Sequence, residues 1–404
     1  MRILSQSIED ALSANRGEGP GFSALRLALA LAIVFVHCFV LSNGSQQVLG
    51  GNTVPTNVAA AVAQHSDATG GFFSWLRETF LRKHNPDAHF ANAFVLMFFA
   101  LSGFLVAGSA FRTRSLSKFL TFRALRIVPA LFVEVVLSAL VLGPLLTSFS
   151  YEAYFANPKF FEYFGNIIGR VRFELPGLFL SNPLPSIVNG NLWTLPAEFY
   201  CYLITAALMF SGVMFRRAAF SCFFVGGAIS LVLITAYFSE LYQHSISTFG
   251  MFAIGTFFCG AMIFHWREYI TLDKWLFAGS VAVFYLTTVA PPSIHAVLQY
   301  VDLITLSYLT VYIGFIRLPN IKGDYSYGIY LYGFPLAQML VATISGVRGQ
   351  PYLLMLVAVP TTFAFAAASW HLFESPALRL KRFISRRGKV ENDSTTTQQI
   401  VAPG

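Results

Sequence analysis

The stretch ALRLALALAIVFVHCFVLS, residues 24–42, decides the fold, because it is long and apolar enough to cross a membrane as a helix. It carries two ionisable side chains, Arg26 near its start and His37 deep inside it. They are eleven residues apart, about three helical turns, so both project from nearly one face with a rise of roughly 16 Å between them. Ionisable groups within a span usually face a bundle interior or a water-filled cavity. The pattern therefore predicts a buried functional site.

The composition of the whole chain indicates that this span is one of several. Of the 404 residues, 55% are hydrophobic and 11% are charged, and the mean hydropathy is +0.61. Such values indicate a polytopic membrane protein. We predict an all-α bundle of about ten transmembrane helices with two long outer loops, 43–90 and 148–192. The predicted spans are 24–42, 91–111, 124–147, 193–214, 219–238, 248–265, 274–290, 297–316, 326–346 and 352–373.

The distribution of basic residues predicts the orientation of these spans. Cytoplasmic loops carry an excess of Lys and Arg, and a cytoplasmic N-terminus places nearly all basic loops of this chain inside. An even number of spans then brings both termini to the cytoplasm. We predict a cytoplasmic segment over 1–22, a transmembrane domain over 23–376, and a basic and then disordered cytoplasmic tail over 377–404. Topology explains the net charge of +8, so no nucleic-acid partner is expected.

The two outer loops are too long to be simple connections. The first contains an amphipathic stretch around 72–82, and the second is rich in aromatic residues but interrupted by proline. Segments of this kind lie at the membrane interface or re-enter the bundle. We expect both loops to cap the outer mouth of the bundle in one of these two ways.

His37 is the strongest candidate for chemistry. A neutral imidazole inside an apolar bundle is a base that is able to take a proton from a hydroxyl group. The alternative is a core histidine that is hydrogen-bonded to its neighbours. For Arg26, the alternative is a snorkelling side chain that marks the cytoplasmic boundary.

A second basic cluster stands in RALRIVPAL, residues 123–131. Arg123 and Arg126 are three residues apart and share one face of the helix. Two guanidinium groups in this arrangement form a fork for phosphate oxygens. The alternative is that they only follow the bias of basic residues toward the cytoplasm.

An acidic residue inside a predicted span gives a third candidate. NGNLWTLPAEFYCYL, residues 189–203, places Trp193 at an interface and Glu198 just inside the fourth span. A carboxylate there would orient His37, bind a sugar hydroxyl, or pair with an arginine. The sequence leaves these three roles open.

Two further motifs carry candidate pocket residues that also have simpler explanations. Ser102 lies in LMFFALSGFLVAGS, residues 96–109, where small residues spaced four apart favour close helix packing. Tyr327 lies in DYSYGIYLYGFP, residues 324–335, which is also typical of an aromatic belt.

No group of His, Cys, Asp or Glu has the spacing of a metal site. His65, His84 and His89, in the first outer loop, are interpreted as surface residues. We therefore expect no metal.

Taken in order, the five motifs resemble the acyltransferase 3 family of integral membrane acyltransferases, and the resemblance runs from Arg26 to Pro376. The chain is most similar to members that add acetyl, or sometimes succinyl, groups to bacterial exopolysaccharides and lipopolysaccharides. The resemblance implies a multi-pass O-acyltransferase of the bacterial cytoplasmic (inner) membrane. Such an enzyme moves an acyl group from acyl-coenzyme A, with acetyl-coenzyme A favoured, to a hydroxyl of a cell-surface glycan or its lipid-linked precursor.

The resemblance also implies roles for single residues. His37 would be the catalytic histidine and Arg26 its partner in the same motif, while Arg123 and Arg126 would bind the donor near its phosphates. Glu198 joins the catalytic candidates because of its position inside a span.

The remaining candidates, Trp193, Ser102 and Tyr327, would line the substrate pocket. Many relatives have a histidine where this chain has Gly333, so no second catalytic histidine is expected there.

Two roles for His37 stay open, general base toward the acceptor hydroxyl or nucleophile that takes the acyl group transiently. A competing interpretation is a proton-coupled transporter or flippase of envelope precursors, with His37, Arg26 and Glu198 as a relay. A third is a scaffold in which the buried charges only pair. Transporters usually carry internal repeats, and none is visible in this sequence.

Overall fold

The computed structural model describes residues 6–15, 17–43, 86–237, 248–319, 321 and 323–380, and there the chain is a bundle of α-helices. The amphipathic stretch predicted around 72–82 and residues 381–404 of the predicted tail lie outside the described residues. In chain order the helices are α1 Ile8–Ala14, α2 Phe22–Asn43, α3 Pro86–Thr113, α4 Leu116–Leu137, α5 Gly143–Leu146, α6 Tyr151–Ala156, α7 Pro158–Tyr163, α8 Thr194–Phe210, α9 Arg217–Tyr237, α10 Thr248–His265, α11 Lys274–Val289, α12 Pro292–Gly314, α13 Ser326–Thr343 and α14 Pro351–Ser369.

Short elements of other kinds join these helices. Strands β1 (Gln6–Ser7) and β2 (Thr271–Leu272) pair antiparallel, which ties the N-terminal segment to the loop before α11. Ile8 follows β1 and is fully buried, so this segment packs onto the bundle. The π-helical turns are Ser138–Leu142 and Trp370–Glu374, and the 3-10 turns are Phe164–Ile168, Gly190–Trp193, Val213–Phe215 and Ser345–Val347.

Many of the helices are long and apolar enough to cross a membrane, which confirms the predicted all-α polytopic fold. Shorter apolar helices cover Gly250–His265 and Lys274–Val289, and the predicted ninth span corresponds to α13. The total of ten spans stays a prediction. Within the described ranges, the seven helices that meet the length and hydropathy of a span are Phe22–Asn43, Phe90–Thr113, Leu116–Leu146, Gly190–Phe210, Arg217–Thr235, Val297–Gly314 and Pro351–Leu380.

Helices α3 and α10 cross at a pair of glycines, as the small residues of the LMFFALSGFLVAGS motif predict. A Cβ added to Gly103 would lie 1.8 Å from the carbonyl oxygen of Phe257. In the reverse direction, a Cβ added to Gly260 would lie 2.0 Å from the carbonyl oxygen of Ala100. The two backbones therefore touch directly, which is the packing that small residues allow between membrane helices.

We expect Gly103→Ala to destabilise the bundle by about 3 kcal/mol, because a methyl group cannot fit between two backbones without separating the helices. Gly226→Ala in α9 is the matched control, since nothing lies within 4 Å of the added Cβ there. That control should leave stability unchanged or raise it slightly, because alanine favours a helix over glycine. Thermal unfolding of the detergent-purified chain measures both. Equal midpoints for the two variants would contradict the close crossing.

The central helix of the bundle is α13, in which 14 of 18 residues are buried. It runs beside α2 in the same direction. Arg26 of α2 contacts Asp324 just before α13 begins, and His37 of α2 contacts Phe334 further along α13. The end of the bundle that carries Arg26 and Asp324 is called the basic end below, and the opposite end is called the far end.

Gly333 lies where α13 faces α2. A Cβ at this position would lie 2.5 Å from Cγ2 of Val34, so the contact leaves no room for a side chain. This packing favours glycine at position 333, where the sequence predicted no second catalytic histidine.

The second predicted outer loop has two parts, and each follows one of the two predicted arrangements. The short helices α6 and α7 lie on the surface with exposed aromatic side chains, such as Tyr151 and Phe161, that suit a membrane interface. Residues 182–193 instead enter the bundle, and they are called the inserted segment below.

The inserted segment follows α13 from the far end toward the basic end. Nδ2 of Asn182 donates to Oε1 of Gln338 (2.7 Å), and Nδ2 of Asn191 donates to the carbonyl of Tyr330, eight residues earlier on α13. Eight helical residues correspond to roughly 12 Å of depth. Nε2 of Gln338 donates to two carbonyls of the segment, both at 2.8 Å. These bonds satisfy the backbone polar groups that non-helical chain exposes at such depth.

A buried carboxyl group also holds the inserted segment. Oε1 of Glu134 in α4 accepts hydrogen bonds from Nδ2 of Asn189 and from the hydroxyl of Ser138, both at 2.9 Å. The same Nδ2 donates to the carbonyl of Leu331 in α13 at 3.0 Å. Asn189 therefore connects the segment to two helices at once.

Candidate active site

A cavity of about 300 Å³ runs into the bundle from the basic end. Exposed Gly17 and Glu18 lie at its mouth, and Thr194 and Tyr330 lie at its inner end, called the floor below. Helices α2, α3, α4, α8 and α13 supply the walls. The cavity therefore follows the direction in which α2 runs from Arg26 toward His37.

Four arginines, Arg26, Arg112, Arg123 and Arg126, line the mouth of the cavity. Nη1 of Arg26 and Nη2 of Arg126 both contact Oδ2 of Asp324, at 3.2 and 2.8 Å. One carboxylate shared by two guanidinium groups leaves positive charge in excess at the mouth. A concave site with this charge attracts anions.

Two of the arginines that line the cavity each have a guanidinium nitrogen without a bond to described residues. Nε of Arg26 and Nε of Arg123 are buried and have no hydrogen-bond partner among the described residues. Arg123 donates weakly through Nη2 to the hydroxyl of Ser109 (3.4 Å) and lies over the rings of Phe119 and Tyr202. Guanidinium donors match the oxygens of phosphate groups, so the mouth suits a phosphorylated ligand.

Asp324 stands in the loop before α13, outside the membrane-spanning helices. Burial alone would raise the pKa of its carboxyl, but Arg126 and Arg26 outweigh burial and hold this pKa below its usual value. Oδ1 also accepts a hydrogen bond from the hydroxyl of Ser326 at 2.5 Å. Asp324 therefore stays ionised at all physiological pH values.

We expect Asp324→Asn to lower the free energy of unfolding by about 2 kcal/mol at pH 7, because two half-buried arginines lose their shared charge. A carboxyl with a depressed folded-state pKa stabilises fully above its unfolded pKa, about 3.9, and loses this effect as the pH falls further. The difference between variant and wild type should therefore be constant from about pH 8 to pH 5 and shrink only below about pH 4. Thermal unfolding across this range tests it, and a difference that vanished by pH 6 would contradict the assignment.

One face of α8 carries three polar side chains into the cavity. Thr194, Glu198 and Tyr202 follow each other at intervals of four residues, so they share a face. The hydroxyl of Tyr202 donates to Oε1 of Glu198 at 2.5 Å. Glu198 thus belongs to the wall of the cavity, between the arginines and the floor.

The floor is built from hydroxyl groups and the tip of the inserted segment. The hydroxyls of Thr194 and Tyr330 are 2.7 Å apart and hydrogen-bonded to each other. The hydroxyl of Thr194 also donates to the carbonyl of Asn191 at 3.0 Å. Ile33 of α2 completes the lining at this depth. The cavity ends here, close to the middle of the bundle.

His37 lies directly behind the floor. It stands one helical turn beyond Ile33 on α2, and its ring packs edge-on against Phe334, which is one turn beyond Tyr330 on α13. The ring centroids of His37 and Phe334 are 5.1 Å apart. Nδ1 of His37 is buried and has no hydrogen-bond partner in the described part of the chain, unlike that of a bonded core histidine.

The structure brings together most of the residues that the sequence singled out. Two do not line the cavity, since His37 lies behind the floor and Trp193 precedes Thr194 beside it. Glu198 does not orient His37 through Nδ1, because that atom is unbonded among the described residues and Glu198 is held by Tyr202. The predicted residues that line the cavity are Arg26, Ser102, Arg123, Arg126, Glu198 and Tyr327.

Sequence reasoning missed Asp324, Thr194, Tyr202 and Tyr330. The sequence offered a signal for Asp324: it is an acidic residue at the start of a predicted span, on the side where arginines are in excess, so it was a candidate partner for one of them. Tyr330 had no such signal, because DYSYGIYLYGFP contains four tyrosines and only the fold shows which of them reaches the floor.

Comparisons with known proteins agree on one family. The family model described as "Acyltransferase domain", of the acyltransferase 3 type, matches residues 20–371. An O-acetyl transferase of Shigella phage Sf6 is 28% identical over 313 residues, covering 72% of this chain and 84% of that protein. Nodulation protein 10 of Rhizobium leguminosarum bv. viciae is 27% identical over 335 residues, covering 74% of this chain and 86% of that protein. No solved structure matches the chain.

The matched range begins before α2 and ends after α14. It therefore contains the arginines at the mouth, the face of α8, the floor and His37. Both the family match and the named O-acetyl transferase point to the same reaction class. The chain belongs to the acyltransferase 3 family, and it is a membrane O-acyltransferase.

Proposed function

We propose that the chain moves an acyl group from acyl-coenzyme A to a hydroxyl of a bacterial cell-surface glycan or of its lipid-linked precursor. Acetyl is the favoured group and succinyl the alternative. The observation that carries the proposal is the cavity, which has arginines at its mouth and His37 behind its floor. The name of the phage relative supports acetyl.

The shape and charge of the cavity suit coenzyme A as the donor. Its nucleotide carries several phosphate groups, and guanidinium groups are the preferred protein partners of phosphate. Its pantetheine arm is long and slender and ends at the thioester. With the phosphates at Arg123 and Arg126, the arm runs along α8 past Glu198 and brings the thioester to the floor.

The orientation of the chain follows from the donor. Coenzyme A is a cytoplasmic metabolite, so the basic end faces the cytoplasm, as the distribution of Lys and Arg also predicts. The enzyme then resides in the cytoplasmic membrane of a bacterium with both termini inside. The acceptor hydroxyl reaches His37 from the far end.

Two reaction paths use the same residues. As a general base, His37 takes the proton of the acceptor hydroxyl, whose oxygen attacks the thioester carbonyl carbon, and the proton passes to the departing thiolate. As a nucleophile, a ring nitrogen of His37 accepts the acyl group first and gives it to the hydroxyl afterwards. Both paths require the imidazole next to the floor.

Oriented membrane vesicles test the donor and the orientation together. Acetyl-coenzyme A with a radioactive acetyl group does not cross membranes, so we expect label in the glycan fraction of inside-out vesicles and none in right-side-out vesicles. Vesicles from cells without the gene provide the background. Label in both orientations, or in neither, would contradict the proposal.

The acceptor is tested in cells. Mass spectrometry of surface glycans should show an added acetyl or succinyl mass when the gene is present and none when it is deleted. Identical glycan profiles would show that the acceptor is not a surface glycan.

A further inference from the structure

We propose that the hydroxyl of Tyr330 is a catalytic residue that donates a hydrogen bond to the carbonyl oxygen of the donor thioester. Thr194 acts as its positioning residue. The inference rests on the proposed function, since it assumes that acyl-coenzyme A occupies the cavity. It adds a role that neither the motifs nor the family assignment gives to these residues.

The position of the thioester in the cavity follows from the position of the donor's phosphates. The arginines fix the phosphates at the mouth, so the acyl end of the extended arm reaches the floor. The side chains around the floor from α2 and α3 are apolar, among them Ile33, Val95 and Phe99. The hydroxyls of Thr194 and Tyr330 are the polar groups that the described lining offers at this depth.

Of the two hydroxyls at the floor, that of Tyr330 is the one able to donate to the thioester. The carbonyl of Asn191 is 3.0 Å from the hydroxyl of Thr194 and 3.4 Å from that of Tyr330, so Thr194 makes the shorter bond to it. The oxygen of Thr194 then accepts the hydrogen of Tyr330 at 2.7 Å. A phenolic hydrogen rotates to suit its acceptor. A thioester oxygen that arrives at the floor therefore replaces Thr194 as the acceptor, while Thr194 keeps its bond to the inserted segment.

Tyr330 is held in place by its neighbours, as a catalytic donor must be before the reaction begins. Nδ2 of Asn191 binds the backbone carbonyl of Tyr330, and the ring of Tyr330 lies 6.1 Å from that of Phe98. Tyr330 also stands one helical turn, roughly 6 Å of rise, before the residue against which His37 packs. The donor and the histidine thus flank one point, the expected place of the carbonyl carbon.

Transfer at the carbonyl carbon proceeds by addition of the acceptor oxygen and then loss of the thiolate. The acceptor oxygen forms a bond to the carbonyl carbon as His37 takes its proton, and the carbonyl π electrons move to the oxygen that Tyr330 binds. When the carbonyl re-forms, the carbon–sulfur bond breaks and coenzyme A leaves as a thiolate. The proton held by His37 passes to that sulfur. A donor aimed at the transient oxyanion stabilises the transition state more than the ground state.

Binding of two probes to the detergent-purified full chain tests the contact without turnover. Acetyl-coenzyme A carries the carbonyl oxygen, whereas S-ethyl-coenzyme A has a methylene group in its place. We expect the wild type to bind acetyl-coenzyme A several-fold more tightly and Tyr330→Phe to lose this preference, with its affinity for S-ethyl-coenzyme A unchanged. A preference kept by Tyr330→Phe would overturn the inference alone. A wild type that binds neither probe would overturn the proposed donor as well.

Transfer rates in inside-out vesicles provide the second readout. Tyr330→Phe should lower the maximal rate roughly a hundredfold, whereas the half-saturating concentration of acetyl-coenzyme A should rise only by the several-fold loss of binding expected above. Thr194→Val should lower the maximal rate by a smaller factor than Tyr330→Phe does. Thr194→Ser, which keeps the hydroxyl, should retain the wild-type rate. Tyr200→Phe is the matched control, because Tyr200 lies on α8 but is exposed on the outside of the bundle. An unchanged or faster rate in Tyr330→Phe would show that the hydroxyl only closes the floor.

Discussion

Replacing His37 with alanine is expected to lower acyl transfer by roughly a thousandfold while the protein stays folded in the membrane. The loss follows from removal of the base or nucleophile that both reaction paths require. Folding should survive because Nδ1 of His37 makes no hydrogen bond to the described residues, and because its ring packs against Phe334 by an edge only. Mass spectrometry of surface glycans, normalised to the amount of protein in the membrane, measures the effect.

His265 supplies a control for this experiment. His265 is buried and, like His37, has a buried ring nitrogen unbonded to described residues. Its ring is stacked on Phe220 at 3.9 Å and does not line the cavity. His265→Ala should lower the amount of folded protein and leave acylation per molecule unchanged. Wild-type acylation by His37→Ala, or equal specific losses in both variants, would refute the assigned role of His37.

Replacing Arg126 with alanine is expected to raise the half-saturating concentration of acetyl-coenzyme A about a thousandfold. Arg126 lines the mouth and binds Asp324 at 2.8 Å, so its loss removes a phosphate partner and leaves the carboxylate facing the incoming phosphates. Truncating one member of such a charged pair costs about 2–5 kcal/mol, and 4 kcal/mol corresponds to roughly a thousandfold in affinity. Rates measured against donor concentration in inside-out vesicles test this.

Two further variants separate the effect of a lost charge on donor affinity from the effect of a lost ion pair on stability. The double variant Arg126→Ala/Asp324→Ala should be more stable than Arg126→Ala alone, because no unpaired carboxylate remains. Its affinity for the donor should stay as low as that of Arg126→Ala. Arg217→Ala removes an equal charge at the basic end, where Arg217 pairs with Glu268 outside the cavity. A similar loss of donor affinity in Arg217→Ala would mean that overall charge, and not the mouth, attracts the donor.

The parts of the fold that depend on one helix at a time could be predicted from the sequence. Span length is set by membrane thickness, so hydropathy predicted an all-α membrane bundle, while the total of ten spans stays a prediction. The four-residue spacing of small residues predicted the close packing of α3. The arginine cluster was predictable because its members lie at fixed spacings on single helices. Arg26 and His37 share one helix, and Arg123 and Arg126 share another.

The parts that depend on contacts between distant segments could not be predicted. Asp324 meets Arg26 across nearly 300 residues of chain. The insertion of residues 182–193 depends on pairs such as Asn182 with Gln338, and neither residue type is typical of a membrane interior. The floor that separates the cavity from His37 follows from this insertion. Helical periodicity places His37 on nearly the same face of α2 as Arg26, but it does not reveal the floor between them.

The inserted segment also has a consequence for the insulation of the membrane. Backbone from the far end reaches the floor of a cavity that opens at the basic end, so among the described residues the layer between that cavity and the ring of His37 is formed by Thr194, Tyr330 and Phe334. A bilayer that stores a proton gradient tolerates no leak at such a thin place. In the proposed reaction the acyl group passes this layer, so the hydrogen bond between the hydroxyls of Thr194 and Tyr330 is the contact that has to open and re-form in every turnover.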